Sequence, residues 1–185
     1  MESKKIANPA PLGLLGFGMA TVMLNLGNAG IIELSAVIVA MAFALGGLAQ
    51  IIAGVFELKQ GNTFGATAFC AYGLFWWSLI FIWVNPFAEI IYDADEYSMG
   101  FYLLLWGAFT VLMFVATLKQ SVALRVIFLT LTVVFFCLAA TEFTGVDTLR
   151  FIAGIVGLVC GATAIYTALG HVLNEVYDKE VIKLC

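Results

Sequence analysis

The sequence predicts an all-α integral membrane protein with six transmembrane helices packed as a bundle. Three observations carry that prediction. Hydrophobic residues make up 63% of the 185-residue chain and charged residues only 11%, whereas a soluble domain carries about 25% charged residues. The charges are segregated, leaving six stretches without Asp, Glu, Lys or Arg: Ile6–Ile32, Leu34–Phe56, Gln60–Ala88, Tyr97–Leu118, Val126–Thr141 and Phe151–Asn174. The Lys and Arg residues between those stretches alternate in a way that an even number of crossings explains. A β-barrel would need short segments of alternating polarity. Runs such as "AVIVAMAFALGGLAQIIAGVF" do not alternate.

A helix needs about 20 mostly apolar residues to cross hydrocarbon. The approximate spans are 11–28, 34–57, 64–84, 98–118, 122–141 and 149–171, within a single domain over residues 1–185. The first opens with "NPAPLGLLGFG". Proline is tolerated only in the first turn of a helix, so Pro9 and Pro11 mark an opening and Asn8 sits where a cap would. Gly13, Gly16 and Gly18 leave one side bare for a close neighbour, either a helix or a solute. This span also carries Thr21 and Asn25. The second span holds Gly46, Gly47 and Gly54, and places the amide of Gln50 at mid-depth, where it must find a partner. The third opens on "GNTFGATAFCAYGLFWW" with Asn62 or Thr63 as cap. Thr67 follows, then Tyr72, too deep for an interfacial aromatic belt. Trp76, Trp77 and Trp83 suit such a belt. Pro86 forbids a helix straight through the acidic loop that follows, with Glu89, Asp93, Asp95 and Glu96.

The fourth span is the uncharged run ending at Leu118. The fifth is short unless Arg125 snorkels to the interface. It contains Thr130, Leu131 and Thr132. The sixth carries Gly154, Gly157, Gly161, Ala164 and Ala168 at helix-packing spacing, and close packing is the commonest use of such a stripe. The end, "NEVYDKEVIKLC", reads as an amphipathic or frayed tail.

With the N-terminus inside, Lys4, Lys5, Lys59, Lys119, Arg125, Lys179 and Lys183 face the cytoplasm and only Arg150 faces out. Both termini are then cytoplasmic in the plasma membrane, the inner membrane of a bacterial cell. Asn and Pro at the start of the first apolar run argue against a cleaved leader. No basic patch with interleaved aromatics points to nucleic acid. Cys70, Cys137, Cys160 and Cys185 lack metal-ligand spacing and read as small hydrophobes. No cofactor or metal is expected.

Ionisable residues inside a span usually mark ion or proton pathways. Here Glu33, Glu57, Glu142, Arg125, Arg150 and His171 all fall near span ends. That pattern argues against a buried carboxylate relay and for a wall that is apolar with a few neutral polar groups. A channel-like path, or one in which a proton rides on the acid itself, suits it.

"NPAPLGLLGFG" and "GNTFGATAFCAYGLFWW" together resemble the acetate uptake transporter family, the succinate–acetate permeases, and the resemblance spans essentially the whole chain. Phe56 stands where many members carry Trp. The resemblance implies a homohexamer of six-helix protomers, each with a central pathway through the lipid bilayer. It implies small carboxylates as substrate, acetate first and succinate second. It also implies an aromatic–aliphatic constriction at Phe17, Tyr72 and Leu131. Further candidates for the substrate path are Asn8, Thr21, Asn25, Gln50, Thr67, Thr132 and Ala164. A membrane-organising protein without transport is the alternative from another class. A membrane enzyme would need His, Cys or acids clustered at one depth, and none cluster.

Overall fold

The computed structural model describes residues 7–184. Lys4, Lys5 and Cys185 lie outside the described residues. The chain forms six long helices: α1 (Ala10–Asn28), α2 (Ala36–Lys59), α3 (Thr63–Val84), α4 (Glu96–Thr117), α5 (Val122–Thr144) and α6 (Asp147–Val176). Each is long and apolar enough to cross a membrane. Large apolar side chains such as Leu74, Phe81, Leu105 and Leu112 stand exposed on the outside of the bundle, as a lipid-facing surface requires.

The helix ends follow local chemistry. The N-cap is Pro9 rather than Asn8, with Pro11 in the first turn; Asn8, one residue earlier, still accepts from the N–H of Ala10 at 3.0 Å through its Oδ1. Asn62, Asp95 and Ser121 cap α3, α4 and α5 by accepting from Gly65, Ser98 and Leu124. α3 stops at Asn85, which is left-handed at φ 35° and precedes Pro86. Gly145, at φ 69°, ends α5. The Arg125 guanidinium reaches back to the Gln120 carbonyl, the snorkelling that the short fifth span needs. The tail is folded back rather than frayed. Asn174 bonds the backbone of Val181 and Ile182, and the Tyr166 hydroxyl donates to Lys183 O.

The helices form a ring. α1 packs on α2 and α6, α6 on α5, α5 on α4, and α2 on α3. Side chains close the remaining gap between α3 and α4. Tyr72 bonds Thr110 at 2.9 Å, Ser78 bonds Tyr102 at 2.7 Å, and Phe75 meets Trp106 edge-on at 5.1 Å. The glycine stripe of α6 packs on α1. A Cβ at Gly18 would lie 2.8 Å from Gly161 O and one at Gly161 2.8 Å from Gly18 O, while Gly157 lies against the Asn25 side chain. Close approach of two backbones is what small residues permit in a membrane. Helices therefore fill the bare side of α1.

α2 departs from an ordinary helix. Its middle, Ala42–Ala49, is π-helical. Gly46 and Gly47 there receive the rings of Trp76 and Trp77, and the Trp77 indole donates to Phe43 O at 3.2 Å. This corrects the assignment of Trp76 to an interfacial belt. Trp76 is 3% exposed and stands near the middle of α3, where the absence of a side chain at Gly46 gives its ring a seat.

Candidate functional site

Three cavities lie in series along the ring's centre. The inner one, about 130 Å³, occupies the end of the bundle where α1 begins and α6 ends; Gln50, Glu57, Asn62, Thr167 and His171 supply its polar wall. A central chamber of about 30 Å³ lies at mid-depth, with Thr21, Asn25, Asn28 and Trp76 on its wall. A vestibule of about 460 Å³ occupies the opposite end, with Glu33, Trp83, Glu142 and Arg150.

Phe17, Tyr72 and Leu131 line both the inner cavity and the central chamber, and so stand between them. The Phe17 and Tyr72 rings are tilted at a centroid distance of 6.1 Å. All three are buried. Tyr72 is fixed by α4. Thr110 spends its only hydroxyl proton on Trp106 O at 2.7 Å, so the 2.9 Å bond to Tyr72 has the phenol as donor. The Tyr72 proton is thus engaged away from a passing solute. A second apolar group, Leu24, Phe75 and Leu138, lines both the central chamber and the outer vestibule, with Asn28 beside it.

The central chamber has an unusual polar complement. Thr130, Thr132, Thr141, Thr163 and Thr167 all donate to the carbonyl four residues earlier, the usual arrangement for a membrane-helix Thr. Thr21 does not: its hydroxyl is buried and without a partner. Trp76 also lines the chamber, and its indole N–H is likewise buried and unpartnered. Asn25 donates to Thr21 O at 2.8 Å and accepts from Asn28 at 3.1 Å. No charged side chain lines this chamber. At 10–15 Å³ per water it has room for about two water molecules. Two buried donors without acceptors suit an anionic or carbonyl oxygen, because a buried polar group left unpaired costs about 1–3 kcal/mol.

The remaining sequence candidates are distributed as follows. Gln50 is buried in the inner cavity wall and donates to Gly46 O at 2.6 Å, which leaves its second N–H. Ala164 is fully buried in the core that contains Phe17, Tyr72 and Leu131, but lines none of the three cavities. Thr132 bonds its own helix at Phe128 O. Thr67 is exposed on the outside of α3. Asn8 lies exposed in a surface groove between α1 and α6. Thr67, Thr132 and Asn8 are therefore not brought to the central cavities. Sequence reasoning missed Trp76, Asn28 and the second apolar group. Glu57 lies near the end of its span, as the sequence placed it, but the sequence did not show that it is 2% exposed and lines the inner cavity. The paired glycines opposite paired tryptophans were a usable signal for Trp76.

The arrangement matches known proteins closely. The succinate-acetate/proton symporter SatP of Escherichia coli (strain K12) is 47% identical over 184 residues, covering 100% of this chain and 98% of that protein. Acetate permease A of Emericella nidulans is 35% identical over 193 residues, covering 95% of this chain and 64% of the permease. The solved structure of the bacterial acetate channel SatP superposes with a TM-score of 0.94 at 48% identity, covering 98% of this chain and 100% of that one. Residues 1–181 match the profile of the GPR1/FUN34/yaaH family. With that match and relatives this similar along its whole length, the chain belongs to the GPR1/FUN34/yaaH family.

Proposed function

We propose that the chain is a membrane channel or transporter for small carboxylates, with acetate as principal substrate and succinate as a second one. The observation that carries this reading is the pair of buried donors, Thr21 and Trp76, on an uncharged chamber between two apolar groups. A bare carboxylate in hydrocarbon is costly. Two N–H or O–H donors lower that cost without trapping the anion in an ion pair. The two apolar groups, Phe17–Tyr72–Leu131 and Leu24–Phe75–Leu138, act as inner and outer constrictions. They accept the methyl end of acetate and reject hydrated cations, for which the neutral chamber offers no acidic ring. The termini face the cytoplasm, Arg150 stands outside, and the protomers assemble as a homohexamer with one pathway each.

Purified protein in liposomes should take up labelled acetate faster than empty liposomes, with formate, lactate, succinate and ammonium compared as competitors. Acetate uptake no faster than in empty liposomes refutes the reading. Competition by ammonium with none by the acids refutes it too.

A further inference from the structure

Glu57 is a buried carboxyl group to which the pathway as described gives no task. It lies at the inner end of α2, 2% exposed, on the wall of the inner cavity. Its seat is built. Asn62 caps α3 by accepting from the Gly65 N–H at 3.1 Å, which turns its amide N–H₂ toward Glu57, and Nδ2 donates to Glu57 Oε2 at 2.6 Å. Gly65 leaves the room: a Cβ there would stand 2.9 Å from Glu57 Cδ and 3.0 Å from Oε2. Oε1 is left as the oxygen without that donor.

The surroundings hold little to balance the charge. α1 contributes no ionisable group to the cavity, α3 contributes Tyr72, α5 none, and α6 His171. Lys59, two residues on, rests its ammonium 5.0 Å over the Phe56 ring. Arg125 is turned to Gln120 O. Among the described residues the ion pair present is Arg150–Glu142, at the opposite end. A carboxylate solute entering a cavity of about 130 Å³ therefore meets a fixed carboxyl group at close range, and two carboxylates sharing one site do not both stay ionised.

We propose that Glu57 is the proton-accepting group of the inner cavity, holding a proton while a carboxylate occupies that cavity and releasing it when the cavity empties. The inference rests on the carboxylate reading above. The proton comes from water at the inner mouth and adds to Oε1. That O–H then donates to the solute's carboxylate oxygen, and on emptying the proton returns to water. No other bond forms or breaks. Buried carboxyl groups at span ends thus bear on transport even where mid-depth holds none.

The test measures protons taken up per acetate bound, with purified protein in lightly buffered detergent solution and a pH-indicating dye. The wild type should take up protons as it binds acetate, at most one per acetate, as linkage to a single carboxyl group requires. Glu57→Gln keeps an oxygen for Asn62 and should bind acetate with no proton uptake; in liposomes its acetate flux should be flat with pH where the wild type rises toward acid. Wild-type binding without a proton overturns the proposal. So does an equal proton count in Glu57→Gln, because the proton then travels on the acid. Infrared difference spectra of the wild type decide the matter without a variant. A carboxylic C=O band that appears with acetate should shift with carbon-13 glutamate labelling, and a shift with labelled acetate alone overturns the assignment. Failure of the carboxylate reading looks different: neither protein then moves acetate at any pH, and the Glu57 assignment falls with it.

Discussion

Thr21→Val separates a solute-binding hydroxyl from a structural one by the sign of two effects. Valine has the shape of threonine and lacks only the polar oxygen. Thr21 is 3% exposed, and its hydroxyl is buried and has no partner. Removing it relieves a desolvation penalty of about 1 kcal/mol, the low end for an unpaired buried group. The substrate-free protein should therefore melt roughly 2–4 °C higher. If the hydroxyl donates to a carboxylate in the chamber, the same change removes a charge-assisted hydrogen bond of about 1.5–3 kcal/mol. Half-saturation for acetate should then rise roughly 10- to 150-fold. The assays are thermal unfolding in detergent without substrate and concentration-dependent acetate uptake in liposomes. Uptake indistinguishable from wild type refutes the role. A lower melting temperature together with weaker uptake refutes it too, since Thr21 would then be an ordinary packing residue.

Leu131→Ala should widen the inner constriction and raise lactate uptake relative to acetate, at a stability cost of about 2–5 kcal/mol for a buried Leu truncation; competition uptake in a folded variant checks the preference. Tyr72→Phe should lose the bond to Thr110 and about 1 kcal/mol of stability, with selectivity among acids unchanged, because the phenol proton is already engaged; a changed acetate-to-formate ratio would contradict this. Asp95 has a pH signature: the Ser98 N–H and then the Ser98 hydroxyl hold its carboxyl below the usual carboxylate value. A lowered folded value means that its stabilisation is present above the unfolded value and disappears as pH falls through the folded one. Melting temperature against pH should show that acid-side loss in the wild type and not in Asp95→Ala.

The membrane fold was legible because hydrocarbon imposes a length and excludes charge, and both can be counted along the chain. The site was legible only in part. Asn25, Gln50 and Thr21 stood out as neutral polar groups at depth, and the structure sets Thr21 and Asn25 on the central chamber and Gln50 on the inner cavity. Which Thr breaks the habit of bonding its own helix depends on rotamer and neighbours, so Thr21 and Thr132 looked alike until their surroundings were known. Thr67 was misplaced because the side of α3 that meets lipid depends on how α3 docks on α2, a long-range property. Trp76 was misread from residue type, although its depth argued otherwise. Glu57 was judged by its distance from a span end, which says how deep a residue lies and nothing about which way it faces.

The π-helical stretch of α2 has a consequence for azimuth. An α-helix turns about 100° per residue, and a wide turn with i→i+5 bonds accommodates extra chain without ending the helix. Everything after Ala49 is thereby rotated about the helix axis relative to the half before it. The stretch itself presents Gly46 and Gly47 to α3. The second half brings Gln50 and Glu57, seven residues apart and so on one face, to the inner cavity. Had the helix run with uniform pitch, removing one residue's worth of slack between Ala42 and Ala49 would swing that face through about 100° relative to the turns before Ala42. The widened segment is therefore a phase shifter: its own glycines hold the tryptophan clasp, and its extra chain sets the azimuth of the polar wall that follows relative to the turns before Ala42.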